Sequence, residues 1–318
     1  MAEAAGVSTA TVTNVLAGRV KRVSAQTSAR VMEVAERLGY HPNPAARAVR
    51  TGRTNLVLLS LTVWADPWAT DLAGYIGEEI RHDGLHSLVL PDGDWSRVLD
   101  EQATDLTFID AVEPRQADRL QSLARRGLRL VVYDEELSAN GFDVISSPAL
   151  PGCRLAMDHL LADHTRIGCL AGHGGNGPSS RVALYREAMA EAGLEVTDDL
   201  IEEFVLDPTS PWSAAVRLLS RDNPPTAVFA TTDFAAMCAV RVAERLKLRV
   251  PEDVAVIGVG NTRRAATMSP SVSSVGPVDL LPGLADLIRG RALGTDTRPP
   301  QVHDYPWQLH VRGSSAVS

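Results

Sequence analysis

The chain has 318 residues, 45% of them hydrophobic, and a net charge of −8, which is enough for a sizeable buried core. No apolar run approaches the roughly 18 residues that span a membrane, and the N-terminus lacks a signal-peptide core, so we expect a cytoplasmic protein. The three cysteines are widely spaced among apolar neighbours, which predicts buried free thiols and argues against a disulfide or a metal site.

The charge is distributed unevenly along the chain. Residues 1–55 hold eight basic and three acidic side chains, a net charge of +5, whereas the remaining residues hold 23 basic and 36 acidic ones, a net charge of −13. A basic head attracts phosphates. Without a supporting motif, the same charges would be an ordinary solvated face.

The first predicted elements are two short helices joined at a glycine. Gly6 ends the first helix, and Ser8 N-caps a second one in which Val12, Val15 and Leu16 recur at helical spacing and face inward. The open side of this uncharged helix carries small or short polar side chains, namely Thr9, Ala10, Thr11, Thr13 and Asn14. The pattern is typical of a helix-turn-helix whose second helix reads base edges in DNA.

A third helix follows Ser24, and a short basic helix follows Pro44. Ser24 is a candidate N-cap and also a candidate phosphate contact, and the two roles are compatible. Pro44 begins and Gly52 ends an alanine- and arginine-rich segment of six residues, too short to be stable alone, so we expect it to fold on DNA. A plain linker is the alternative, but a linker has no need of a helix former beside arginines.

These segments resemble a known family. GVSTATVTNVLAG and VSAQTSARVMEVAERLGYHPNPAARAVRTGRTN are similar to the headpiece and hinge of the LacI/GalR family of bacterial transcriptional regulators. The resemblance implies that Thr9, Ala10 and Asn14 read base edges, and that Val49 replaces a leucine that wedges open the central base step in the minor groove. It also implies further contacts to operator DNA from Ser8, Thr11, Thr13, Arg22, Ser24, Thr27, Tyr40, Asn43, Ala46, Arg47 and Arg50.

The beginning of the headpiece departs from the family. The family's first helix normally starts several residues earlier, whereas Met1 stands where that helix is already half built. We therefore expect either a wrongly assigned start or a truncated headpiece. We favour the first, because too little of the helix would remain to cover Val12 and Leu16.

In the rest of the chain, short apolar runs alternate with amphipathic helices, which predicts an α/β body with doubly wound parallel sheets. Strands are predicted at 56–61, 86–90, 106–109, 128–133, 166–170, 227–230 and 254–258, and helices at 152–163, 180–192 and 233–246. The series resembles the two-lobed periplasmic-binding-protein type 1 fold of the family's effector domain. The stretch 95–110 matches least, and the helix in it should be short.

The resemblance also implies the domain boundaries. We predict a headpiece over residues 1–42, a hinge helix over 43–53 and an effector-binding and dimerisation domain over 54–318. The first lobe would comprise about 54–146 and 276–307, and the second about 147–275 and 308–318. Crossings between the lobes are placed near Ser146, Val275 and Trp307.

An effector site is implied between the lobes. Trp68 and Trp212 would stack on a ring, although a core role for either tryptophan is an equal alternative. Arg181 would hydrogen-bond hydroxyls or carboxylates, with a solvated helix face as its alternative. The remaining predicted contacts are Asp134, Thr232, Asp233 and Asn261, and Asp233 is also expected to cap the helix that follows it.

One departure bears on the ligand. The family usually has an aromatic residue followed by two aspartates here, and the first aspartate often binds effector hydroxyls. This chain has Val259, Gly260 and Asn261 instead. Because a carboxylate is missing and Arg181 is kept, we expect a sugar acid or a phosphorylated sugar ahead of a neutral hexose.

Several other classes of function find no support. The glycine-rich loop 172–177 lacks a P-loop ending, and the sequence shows no nucleophile elbow, triad or metal-ligand spacing, so we predict no catalytic residue, no metal and no cofactor. The predicted function is a ligand-responsive repressor that binds pseudopalindromic operator DNA as a homodimer, with no membrane partner. A solute-binding protein of the same fold is the alternative, and the headpiece and missing signal peptide argue against it. A sugar-processing enzyme would lack catalytic residues.

Overall fold

The computed structural model of the protein describes residues 1–16, 23–40, 44–62, 64–91, 93–172, 180–205, 207 and 209–316, without the side chains of Pro44, Ala45 and Arg47. The predicted contacts Arg22 and Asn43, the side chain of Arg47 and residues 173–177 of the glycine-rich loop lie outside this description. Tertiary contacts divide the chain into two units, Met1–Thr54 and Asn55–Ser318.

The first unit is helical. Its helices are α1 (Ala2–Ala5), α2 (Thr9–Leu16), α3 (Ala25–Arg37) and α4 (Pro44–Thr51). Gly6, at φ 61°, ends α1 in the left-handed conformation that glycine adopts without strain. The hydroxyl of Ser8 accepts the amide of Thr11 at 3.1 Å, and that of Ser24 accepts the amide of Thr27 at 3.1 Å, so both predicted N-caps are confirmed.

An apolar cluster holds α1, α2 and α3 together. It comprises Ala5, Val12, Val15, Val31 and Val34, with Leu16 partly buried at its edge. The expectation that Val12 would lack cover is wrong, because the valine is only 7% exposed in a cluster to which α3 contributes two valines. The fourth helix has eight residues, two more than predicted, and its folding on DNA stays a prediction.

The second unit contains two six-stranded sheets. The first has the strand order β11-β5-β4-β3-β1-β2 and the second β12-β10-β9-β8-β6-β7. All neighbouring strands are parallel except β10 and β12. The strands are β1 (Leu56–Ser60), β2 (His86–Leu90), β3 (Leu106–Ile109), β4 (Leu130–Tyr133), β5 (Asp143–Ser146), β6 (Ile167–Gly172), β7 (Ile201–Phe204), β8 (Ala227–Ala230), β9 (Ala255–Val259), β10 (Ser273–Pro277), β11 (Val302–Asp304) and β12 (Trp307–His310).

Helices cover the faces of both sheets. They are α5 (Pro67–Arg81), α6 (Trp95–Glu101), α7 (Ala117–Arg125), α8 (Ala149–Leu161), α9 (Arg181–Glu191), α10 (Ser210–Leu219), α11 (Asp233–Arg245), α12 (Arg263–Thr267) and α13 (Leu280–Leu293), with short 3-10 turns at Pro114–Gln116 and Asp198–Leu200. Helix α6 has seven residues, and its Trp95 is buried in the core. The short helix expected in this stretch is therefore present.

Each sheet is buried on both faces. In β1, Val57 and Leu59 pack into one apolar cluster and Leu58 into another. In β8, Val228 and Phe229 likewise enter separate clusters. Continuous apolar strands of this kind are typical of parallel sheets between two helix layers. The two sheets with their helices form two lobes, lobe one and lobe two.

The chain passes between the lobes at three short segments. The first follows Ser146, where β5 ends and α8 begins in lobe two. The second follows Pro277, because α13 returns to pack against lobe one. The third lies between Asp304 and Trp307, which belong to different sheets. These three segments are the lobe crossings, and the space between the two lobes is the cleft.

The cysteines are buried free thiols, as predicted. Burial raises the pKa of Cys153 and of Cys238 to about 11. Within the described ranges, no helix is both long and apolar enough to cross a membrane.

Candidate ligand-binding cleft and DNA-binding surface

The carboxyl ends of the parallel strands of both lobes meet at the cleft, which is where open α/β sheets bind ligands. A cavity of about 320 Å³, the inner chamber, lies there. Lobe one lines it with residues that follow β1, β3 and β4, chiefly Thr62, Asp66, Trp68, Asp110 and Tyr133. Lobe two and the crossings supply Arg181, Thr232, Gly260, Pro277 and Trp307.

Aromatic rings form part of the chamber wall. Trp68 lies at the start of α5, and its ring meets that of Tyr133 edge to face, with centroids 5.9 Å apart and planes at 69°. Both pack against the apolar cluster of lobe one, whereas Trp307 packs against a cluster of lobe two. The chamber therefore has aromatic surface from both lobes.

Two carboxylates line the same chamber. Asp66 N-caps α5, accepts the amide of Trp68 at 2.8 Å, and is 8% exposed. Burial raises its pKa, an effect that this hydrogen bond and the charge of Arg181 partly offset. Asp110 accepts the backbone amide of Thr62 at 2.8 Å. Carboxylates held by backbone amides are rigid acceptors for ligand hydroxyls or amines.

A single guanidinium lies near them. Arg181 begins α9, which Ser180 N-caps, and one of its terminal nitrogens donates to the carbonyl of Thr231. With two carboxylates and one guanidinium, the chamber carries a net negative charge among its described lining residues. The expectation of an anionic ligand rested on a missing carboxylate, whereas Asp66 and Asp110 bring two carboxyl groups from lobe one. The charge of the ligand stays a prediction.

A larger cavity of about 590 Å³, the outer chamber, shares Trp68, Gly260 and Pro277 with the inner one. Asn261 lines the outer chamber, and its side-chain oxygen accepts from Arg312. The structure therefore places Asn261 beside the predicted site and engages its side chain within the protein.

Two further predicted ligand contacts, Trp212 and Asp134, lie outside the described lining of both chambers. Trp212 packs against the apolar cluster of α10 and α11, and it is absent from the described lining of both chambers. One oxygen of Asp134 accepts the amides of Glu136 and Leu137, each at 2.8 Å, in a tight turn. The structure therefore gives Trp212 a packing role and Asp134 a role in a turn, and neither residue is in the described lining of a chamber.

Asp233 also differs from its prediction. It is 1% exposed, and its carboxylate accepts the amide of Thr262 at 2.6 Å and the hydroxyl of Ser274 at 2.6 Å. Burial raises its pKa. The helix cap is Thr232, whose hydroxyl accepts the amide of Ala235 at 3.1 Å. Asp233 therefore binds the loop after β9 through a hydrogen bond and does not cap α11.

Sequence reasoning missed five polar or aromatic residues of the inner chamber: Thr62, Asp66, Asp110, Tyr133 and Trp307. Four of them follow or end strands β1, β3 and β4, so the rule that ligands bind beyond the carboxyl ends of parallel strands could have found them. Trp307 carries no comparable signal, because it begins the antiparallel strand β12 after the third lobe crossing.

The headpiece presents the predicted reading face. Thr9, Ala10 and Thr13 are exposed, and Asn14 is partly exposed, whereas Val12 and Val15 are buried. The hydroxyl of Thr13 donates to the carbonyl of Thr9 at 2.9 Å, so it is engaged within the helix. Other predicted contacts are also accessible, namely Ser8, Thr11, Ser24, Thr27, Tyr40, Ala46 and Arg50.

The short helix α4 carries an exposed valine. Val49 is 89% exposed, the highest value among the exposed large hydrophobic side chains of the described residues. An apolar side chain with so little cover in the protein is available to a partner.

The two units together define a class of protein, in which a helix-turn-helix headpiece is joined to a two-lobed ligand-binding body. Comparison with known proteins agrees with this class. The profile of "Bacterial regulatory proteins, lacI family" matches residues 1–43, and that of the "Periplasmic binding protein-like domain" matches residues 157–315.

Relatives align over most of the chain. The HTH-type transcriptional regulator DegA of Bacillus subtilis (strain 168) is 29% identical over 99% of this chain and 97% of its own length. The HTH-type transcriptional repressor PurR of Serratia proteamaculans (strain 568) is 30% identical over 86% of this chain and 83% of its own length.

Solved structures share the fold. A complex of the transcriptional regulator CelR with cellobiose superposes with a TM-score of 0.63, at 26% identity, covering 98% of both chains. The lac repressor dimer bound to operator and the anti-inducer ONPF superposes with a TM-score of 0.71, at 21% identity, covering 99% of this chain and 98% of the repressor. The chain belongs to the lacI family of bacterial regulatory proteins: it is a DNA-binding transcriptional regulator and not an enzyme.

Proposed function

We propose that this regulator is a cytoplasmic repressor that binds a pseudopalindromic operator as a homodimer, and that a small neutral sugar bound in the inner chamber controls its operator affinity. The observation that carries the ligand part is the combination of aromatic rings and two carboxylates in one chamber between the lobes. The CelR complex with cellobiose supports a sugar, and the operator-bound lac repressor dimer supports the assembly.

The chemistry of the chamber favours a neutral sugar over an acidic one. The rings of Trp68, Tyr133 and Trp307 offer apolar faces to the C–H face of a sugar ring. Asp66 and Asp110 accept hydrogen bonds from hydroxyls, whereas a carboxylate or phosphate on the ligand would be repelled by them. A volume of about 320 Å³ is at the lower end of ligand pockets, which suits a small ring compound.

The headpiece supplies recognition of DNA. Helix α2 has no charged side chain, so specificity would come from Asn14 pairing with adenine and from the methyl groups of Thr9 and Ala10 against thymine. The basic residues of the headpiece and hinge would contact phosphates and give the binding a steep dependence on salt.

An exposed edge strand supports the homodimer. Strand β2 is at the edge of the first sheet, and its Leu88 and Val89 are 43% and 36% exposed. Edge strands with exposed apolar side chains favour pairing with another copy. Leu88→Lys should therefore lower the dimer fraction in sedimentation and weaken operator binding, and an unchanged dimer would place the interface elsewhere.

The proposal is tested in two stages. DNA fragments selected from a random pool give the operator, whose affinity is then measured with glucose, cellobiose, gluconate and glucose 6-phosphate. We expect a neutral sugar to quench tryptophan fluorescence and to change operator affinity, and Asp66→Asn to weaken that sugar. Tighter binding of gluconate or glucose 6-phosphate would overturn the assignment of a neutral ligand, and absence of selected DNA would overturn the headpiece assignment.

A further inference from the structure

Trp307 lies where the three lobe crossings meet. It is the first residue of β12, directly after the third crossing, and it pairs across the sheet with Pro277, which precedes the second crossing. Its indole N–H donates to the carbonyl oxygen of Ser147 at 3.0 Å and to the hydroxyl of Ser147 at 2.8 Å, and Ser147 belongs to the first crossing. The same ring lines the inner chamber.

Ser147 collects hydrogen bonds from both lobes. It is fully buried, and its hydroxyl donates to the carbonyl of Tyr305 at 3.1 Å on the third crossing. Its own carbonyl accepts from the phenol of Tyr133 at 3.3 Å as well as from the indole of Trp307. Two aromatic rings of the chamber wall, one packed on each lobe, are therefore tied to a single carbonyl group between the lobes.

A glycine keeps the indole in this position. Gly152 lies in α8, the helix that follows the first crossing, and a Cβ placed there would come within 2.7 Å of Cε3 and 2.8 Å of Cβ of Trp307. Real Cβ atoms do not approach so closely, so any larger residue at this position displaces the tryptophan. The ring thus packs on α8 while its N–H binds the crossing that leads into α8.

We infer that Trp307 is the positioning residue that transmits occupancy of the inner chamber to the lobe crossings. This inference rests on the proposed function, because it assumes that a ligand in the chamber controls operator affinity. A ligand stacked on the indole fixes the ring, and the N–H bond to Ser147 then fixes the first crossing relative to the third. The apolar ring contributes to ligand affinity, whereas the N–H carries the coupling.

The separation of ring and N–H makes the inference testable with Trp307→Phe in the full chain. Phenylalanine keeps an aromatic face in the chamber and removes the donor to Ser147. The matched control is Trp64→Phe, because Trp64 is exposed and absent from the described lining of both chambers. The probe is whichever of glucose and cellobiose binds the wild type more tightly, and the readouts are its Kd and the ratio of operator Kd with and without saturating probe.

In the wild type, we expect the probe to change operator Kd by a factor within the 5- to 150-fold range, roughly, of allosteric couplings. Trp307→Phe should bring that ratio close to one while the probe's Kd changes by less than about fivefold, within the range of one lost hydrogen bond. Trp64→Phe should keep the wild-type ratio. Gly152→Ala should lose the ratio as well, because it displaces the indole without altering it.

The outcomes separate this inference from the proposed function. If neither sugar changes operator Kd in the wild type, the proposed function is refuted and the coupling with it. If the wild type responds and Trp307→Phe responds equally, the coupling role of Trp307 is refuted and the proposed function stands. An equal loss in Trp64→Phe would also refute it, because the effect would then not depend on the bond to Ser147.

Discussion

Shortening Val49 should weaken operator binding without affecting the fold. The side chain is 89% exposed, so it contributes little to the stability of the free protein and nearly all of its surface is available for burial between base pairs. Val49→Ala removes two carbon atoms, about 1.6 kcal/mol of transfer free energy per subunit at about 0.8 kcal/mol per CH₂. In the proposed homodimer the loss is about 3.2 kcal/mol.

Helix formation opposes part of this loss. Alanine is the better helix former by roughly 0.5 kcal/mol, which helps α4 to form on DNA and reduces the net cost to about 2.2 kcal/mol per dimer. The operator Kd should therefore rise by about 40- to 200-fold. Val49→Leu adds one CH₂ per subunit and should lower the Kd by up to about 15-fold, before any strain.

The assay is fluorescence anisotropy on the selected operator at one fixed salt concentration, since phosphate contacts make every Kd depend on salt. The control is Val311→Ala, the same substitution at an exposed valine of the effector body. An operator Kd for Val49→Ala within about threefold of the wild type, with an unchanged melting curve, would show that Val49 is not inserted between base pairs.

Three further predictions concern the reading helix, the chamber and the core. Asn14→Ala should reduce discrimination against a substituted operator by about 1–3 kcal/mol with little change in nonspecific affinity, and equal losses on both DNAs would contradict base reading. Burial raises the pKa of Asp66 above 3.8, so the carboxyl binds its proton more tightly in the native state than in the unfolded state, and its contribution to stability falls as pH rises from about 4 through the raised pKa. The difference in Tm between Asp66→Asn and the wild type should therefore shift in favour of the variant as the pH is raised from about 4 to neutral. A Tm difference that stays constant over this pH range would refute the prediction. Asp143→Asn should lower the free energy of unfolding, measured in urea, by about 3–5 kcal/mol, because it leaves the buried guanidinium of Arg291 without the carboxylate that accepts its Nε at 2.8 Å. The control Asp286→Asn, at an exposed ion pair, should lower it by only about 0–1 kcal/mol. Similar losses for both variants would contradict the burial argument.

The headpiece could be predicted in detail because its determinants are local. The N-caps at Ser8 and Ser24 depend on a hydroxyl and an amide three residues apart, and the burial of Val12 and Val15 follows from helical spacing. The cover over Val12 was not predictable in this way, since it depends on how α3 packs against α2.

The same distinction holds in the body of the protein. Runs of largely apolar residues identified strands β3 and β8 at their observed bounds, because a strand buried on both faces needs a largely apolar sequence. The alternation of strands and helices predicted parallel sheets, and the family resemblance predicted the two lobes. The order in which the strands pair was not predicted, and it comes from the tertiary structure.

The ligand chamber was decided by tertiary structure. Sequence reasoning chose Trp212 and Asp233, whereas folding buries Asp233 against Thr262 and brings Asp110 and Trp307 to the chamber. A tryptophan or an aspartate near a strand end can cap a helix, fill a core or face a ligand, and its own sequence neighbours are the same in each case. What distinguishes these roles is which groups arrive from segments far away in the chain, such as Ser147 beside Trp307, at a separation of 160 residues. By itself, the sequence determined the headpiece helices, seven of the twelve described strands and the exposed face of α2 through interactions within a few residues. Only the tertiary structure decided which side chains meet in the cleft.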